Sequence, residues 1–119
     1  MQLNAFWLAA AVNGFLAVAL GAFGAHALKE TLTVQATDWW RTAVLYQAIH
    51  TVPLLALGFL PEPSRTTRIA GILFILGILL FSGSLYAMAL SGQRWLGAVT
   101  PLGGVALLAA WVALGLLAL

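Results

Sequence analysis

The chain has 119 residues, of which 63% are hydrophobic and only 7% charged, and its mean hydropathy is +1.05, far above that of a water-soluble domain. Five basic against three acidic side chains leave a net charge of +2, too little to build a basic patch for nucleic acid. The absence of cysteine excludes a disulfide framework, a thiolate metal site and a thiol nucleophile.

Charged residues divide the chain into four apolar blocks, Asn4 to Leu28, Thr42 to Leu60, Ile69 to Leu90 and Leu96 to Leu119. About 20 residues rising ~1.5 Å each cross the ~30 Å of hydrocarbon in a bilayer, so each block reads as a transmembrane helix. None alternates as a barrel strand would. The expected fold is an all-α membrane protein: one domain over residues 1–119, with four transmembrane helices in an up-down-up-down bundle.

The first block opens without a basic segment and is longer than the apolar region of a secretory signal, so it is expected to be a retained span. On it Gly14, Ala17, Gly21 and Ala25 fall three and four residues apart and form a packing face of small side chains. Such faces let helices approach closely in lipid, within one chain or between copies, and a homo-oligomer is expected. The connection that follows holds Thr37 and Asp38, either of which could cap the second helix, and the pair Trp39-Trp40, expected at the headgroup level.

The second block carries Tyr46, Gln47 and His50 on one helical face, which is costly in hydrocarbon and therefore the first place to look for function. His50 falls near the midplane, and Pro53 frees the carbonyl of Ile49, the kind of acceptor His50 could reach on a neighbouring helix. Two prolines, Pro61 and Pro63, then force a hairpin, with Ser64 as the cap of the third helix. The third block contributes Ser82, Ser84 and Tyr86, and a second line of small residues, Gly83, Ala87 and Ser91. Ser91-Gly92 ends that helix, and Thr100-Pro101 reads as a cap and first helical position, followed by Gly103-Gly104, which admits a close neighbour.

Counted along the helices, His26, Tyr46, Gln47, Ser82, Ser84, Tyr86 and Thr100 share one half of the bilayer, with His50 at its floor. This candidate polar cluster is either a structural network or a pocket for a small molecule or lipid. No nucleophile–base pair, carboxylate dyad or metal-ligand set is present, so no catalytic, cofactor-binding or metal residues are assigned, no cofactor is expected, and an enzyme is disfavoured. Two alternatives stay open: a small transporter or proton-coupled channel component using His50, and a membrane scaffold for a partner protein.

The strings Gly21-Ala-Phe-Gly-Ala-His-Ala-Leu28, Tyr46-Gln-x-x-His50, Leu80-Phe-Ser-Gly-Ser-Leu-Tyr86 and Thr100-Pro-x-Gly-Gly104 resemble the motifs of the YgdD-like membrane proteins, a family of unknown function. The resemblance covers essentially the whole chain. It implies a multi-pass, four-helix protein of the bacterial inner membrane with cytoplasmic termini. Basic residues do not select an orientation, because Arg65 and Arg68 lie on one side and Lys29, Arg41 and Arg94 on the other.

Overall fold

A computed structural model describes residues 3–119. These residues form four α-helices: α1 (Ala5–His26), α2 (Val34–Gly58), α3 (Arg65–Ser91) and α4 (Thr100–Leu116), with a short 3₁₀ turn (Arg94–Ala98) leading into the last. No strand occurs among the described residues. Local chemistry sets most of the ends. Asn4 accepts from the backbone N–H of Trp7 at 3.1 Å and donates to the carbonyl of Gly58 at 2.6 Å, so one side chain both caps α1 and closes the end of α2. Ser64 caps α3 through the N–H of Thr67 at 3.1 Å. Gly92, the one described residue with positive φ (+71°), terminates α3 in the left-handed conformation.

Two boundaries differ from the sequence reading. Helix α2 begins at Val34, eight residues before the apolar block, and its cap is Thr33, whose Oγ1 accepts from Ala36 N at 3.0 Å; Thr37 and Asp38 lie inside the helix. The apolar onset marks where hydrocarbon would begin, whereas a helix continues into water for as long as its hydrogen bonds are made. Thr100 does start α4, but as its first residue rather than its cap. Its hydroxyl turns instead to Ser84, 2.6 Å away.

The segments Ala5–His26, Arg65–Ser91 and Arg94–Leu116 are long and apolar enough to cross a membrane; α2, diluted by Arg41, Gln47 and His50, is not. The outer faces are as apolar as the interior: Phe15, Val18, Val52 and Leu108 are each more than 65% exposed. Helices that are hydrophobic all round belong in an apolar surrounding.

The extensive interfaces are α1–α2, α2–α3 and α3–α4. With overall dimensions of 47 × 29 × 20 Å, the molecule is a slab two helix diameters thick and about three wide. It is an open zigzag rather than a bundle closed by α4 on α1. A core of Ala10, Leu54, Leu57, Phe74, Ile78 and Leu107 runs through the half nearer the α2–α3 hairpin. Backbone approach is closest between α3 and α4, where a Cβ on Gly103 would lie 2.7 Å from the Cα of Phe81.

The small face of α1 is spent inside the chain. Ala17 is buried, and Gly14 and Gly21 look onto Thr51 and Val44 of α2 at ordinary contact distances of 3.5 and 3.4 Å. Ala25 does not join it. That residue is exposed, and the neighbouring Gly24 takes the contact instead, its missing side chain replaced by the ring of Trp40. Trp40 is therefore no headgroup anchor. It is 4% exposed, donates through Nε1 to the carbonyl of Leu20 at 2.9 Å, and meets Tyr86 edge-on at 4.7 Å.

Candidate functional site

Three helices meet at a polar seam. Gln47, buried in the middle of α2, donates through Nε2 to Oδ1 of Asn13 at 3.0 Å and accepts at Oε1 from the hydroxyl of Tyr86 at 2.7 Å. Asn13 answers by donating from Nδ2 to the carbonyl of Gln47 at 3.0 Å and to Oγ1 of Thr51 at 2.6 Å. Beside this chain Ser82 donates to the carbonyl of Ala43 at 2.7 Å, fastening α3 to α2. No buried side-chain nitrogen or oxygen among the described residues is left without a partner. In a medium without water this is what makes such polarity tolerable, and it ties α1, α2 and α3 together.

The eight residues grouped by depth thus separate into four places. Gln47, Ser82 and Tyr86 meet in the seam. Ser84 and Thr100 form a separate hydrogen bond between α3 and α4. His50 lies on another side of α2, among rings: Phe74 and Trp111 at centroid distances of 6.1 and 5.9 Å, and Tyr46 at 5.9 Å, itself stacked on Phe81 at 4.3 Å. Its Nδ1 donates at 2.6 Å to the carbonyl of Tyr46, an acceptor on its own helix rather than on a neighbour. That bond places a hydrogen on Nδ1. His26 stands exposed at the end of α1, apart from the seam. Asn13 and Thr51 are the members that the sequence reading missed. The signal for Asn13 was available, since it is the only amide within α1.

Because α1 leans on α2 without an extensive contact to α3, a groove of about 510 Å³ opens between α1 and α3. Leu8, Val12 and Leu16 form one wall and Ile75, Ile78 and Leu79 the other. The seam residues Asn13, Gln47, Ser82 and Tyr86 face it from below. Gly83 stands at its edge with no atom within 4 Å of where a Cβ would lie. No group of three or more histidine, cysteine or acidic side chains able to hold a metal occurs among the described residues.

The family model described as "Protein of unknown function (DUF423)" matches residues 20–104. Among the relatives, the UPF0382 inner membrane protein YgdD of Escherichia coli strain K12 is 44% identical over 104 residues, 86% of this chain and 79% of that one. A UPF0382 membrane protein of Staphylococcus epidermidis is 42% identical over 116 residues, covering 94% of this chain and 93% of its own. The UPF0382 membrane protein YwdK of Bacillus subtilis is 42% identical over 115 residues, 92% of each chain. No solved structure matches. With its family model and its relatives both spanning most of its length, the chain belongs to the DUF423 family of membrane proteins, whose function is unknown.

Proposed function

We propose that the chain is a four-span protein of the bacterial inner membrane whose α1–α3 groove holds the hydrocarbon chain of a neutral lipid-like molecule. The name of the Escherichia coli relative supports the location. That α2 also crosses is supported by how its side chains divide: Gln47 and His50 are buried, while Leu45, Ile49, Val52 and Leu55 make up its outward face. Four crossings put both ends on one side, taken as the cytoplasm.

The observation that carries the binding reading is the groove itself, with apolar walls over a hydrogen-bonded floor. The hydroxyls of Tyr86 and Ser82 already donate to Gln47 and Ala43, so what they offer an occupant is lone pairs. The matching occupant has a long apolar chain and a hydroxyl or amide N–H. The transport reading has less support, since His50 lines neither this groove nor the one described below.

The test uses full-length protein in nanodiscs with a photoactivatable diacylglycerol and its O-acetylated counterpart. Labelling is expected on peptides of α1 and α3, several-fold weaker for the acetylated probe. Gly83→Leu, which fills open space, should abolish it without loss of helicity. Labelling indifferent to both the acetyl cap and Gly83→Leu overturns the reading.

Self-association is a second reading, favoured by one observation. With the small face of α1 taken by α2, the line of Gly83, Ala87 and Ser91 on α3 remains exposed or half-exposed. Under that reading Gly83→Leu converts a dimer to a monomer in single-molecule photobleaching of vesicles. A protein monomeric at every density refutes it.

A further inference from the structure

A second groove, of about 520 Å³, lies at the opposite end of the molecule from the α2–α3 hairpin, between the last turns of α1 and the first turns of α2. Its lining is graded along its length. Lys29 and Arg41 stand at the mouth, from the connection after α1 and from α2 respectively. Below them Gly21 and Ala25 form one wall, and Leu45 and Ala48 the other. Arg41 is the last charged residue before the apolar run of α2, seven residues or ~10 Å from the helix start, where hydrocarbon gives way to headgroups.

Two further features mark this as more than a surface crease. First, the cations are uncommitted. Lys29 and Arg41 are exposed and, like Arg65 at the other end, make no hydrogen bond or ion pair among the described residues, whereas Arg94 donates to Gln35 at 3.0 Å and Arg68 to the carbonyl of Pro63 at 3.3 Å. Glu30 and Asp38 are close in sequence, but neither lines the groove. Second, the wall is fixed. Trp40 fills the space beside Gly24 and is tethered to Leu20, so the groove is framed by a side chain locked between α1 and α2.

A free anion would satisfy only the mouth, and a neutral lipid only the lower walls. We propose that this groove is a binding site for an anionic phospholipid, its phosphate between Lys29 and Arg41 and one acyl chain running down past Gly21, Leu45 and Ala48. The site is independent of the α1–α3 groove and stands or falls separately.

Full-length protein in phosphatidylcholine nanodiscs doped with phosphatidylglycerol, released and read by native mass spectrometry, tests it. Each basic group near a membrane surface attracts anionic lipid by about 1 kcal/mol, so wild type should retain phosphatidylglycerol over phosphatidylcholine about tenfold to thirtyfold. K29Q/R41Q should erase the preference. A48F, which blocks the chain and keeps both cations, should lower retention, while R65Q/R68Q at the other end should leave it unchanged. Retention by K29Q/R41Q or A48F equal to wild type overturns the proposal, as does an equal loss in R65Q/R68Q. Displacement of the lipid by millimolar inorganic phosphate would make it a free-anion site and would equally sink the lipid assignment.

Discussion

Replacing Asn13 by alanine removes three side-chain hydrogen bonds that join α1 to α2: its donations to the carbonyl of Gln47 and the hydroxyl of Thr51, and its acceptance from Gln47 Nε2. Interhelical hydrogen bonds in membranes average ~0.6 kcal/mol and reach ~1.7, so Asn13→Ala should cost roughly 2 kcal/mol. Gln47→Ala should cost a similar amount, because it also strips the acceptor from Tyr86. The two losses overlap in one place. The donation of Asn13 to the Gln47 carbonyl is a bond to backbone and survives Gln47→Ala, which leaves only the side-chain pair at 3.0 Å as common ground. A double-mutant cycle should therefore give a coupling of about 1 kcal/mol, well short of either single cost. Steric-trap unfolding in bicelles measures all four corners. A coupling below ~0.3 kcal/mol, or a variant stabilised by losing the amide, would show that the seam does not hold α1 in place.

Two glycines should respond in opposite ways to the same methyl group. Gly103→Ala drives a Cβ into the backbone of α3 and should cost about 1–3 kcal/mol, whereas Gly83→Ala meets open space and should gain up to ~1 kcal/mol of helix propensity; the same unfolding assay reads both. His50→Phe should shift stability by less than ~1.5 kcal/mol, since it keeps a ring among Phe74, Trp111 and Tyr46 and loses only a bond within its own helix. Reporter fusions at residues 1 and 119 should place both ends in the cytoplasm, and ends on opposite faces would remove the four-span reading.

What was legible in the sequence is what short-range chemistry decides. Ser64, the Pro61/Pro63 break, Gly92 and the start of α4 at Thr100 are each specified by a residue and its immediate neighbours. The start of α2 was not, because hydropathy locates the edge of hydrocarbon and the helix runs past it. Counting residues likewise assigns each polar group a depth but says nothing of the direction in which it points around its helix. Gln47, Ser82 and Tyr86 meet, while His26, assigned to the same half of the bilayer, points away. Asn13 was missed because no other amide, hydroxyl or charged side chain lies within two turns of it on its own helix; its partner lies 34 residues along the chain. Trp40 was misplaced because a tryptophan pair at a helix start suits an interface, and only the gap at Gly24, invisible without the α1–α2 packing, draws one of the two inward.

The open form of the molecule follows from where its small and polar residues lie. In lipid, apolar surface gives helices no reason to associate, so an interface needs close backbone approach or hydrogen bonds. The α1–α2 contact has Asn13 with Gln47 and Trp40 seated on Gly24; α2–α3 has Ser82 on Ala43 and Tyr86 on Gln47; α3–α4 has Ser84 with Thr100, and Gly103 against Phe81. Nothing comparable joins α1 to α4 among the described residues, where Phe15, Val18, Leu108 and Val112 stay outward. Closing the ring would bury large side chains against one another without a hydrogen bond to hold them. The α1–α3 groove is thus a consequence of the interface code itself, and it should persist in a lone protomer whether or not an occupant is present.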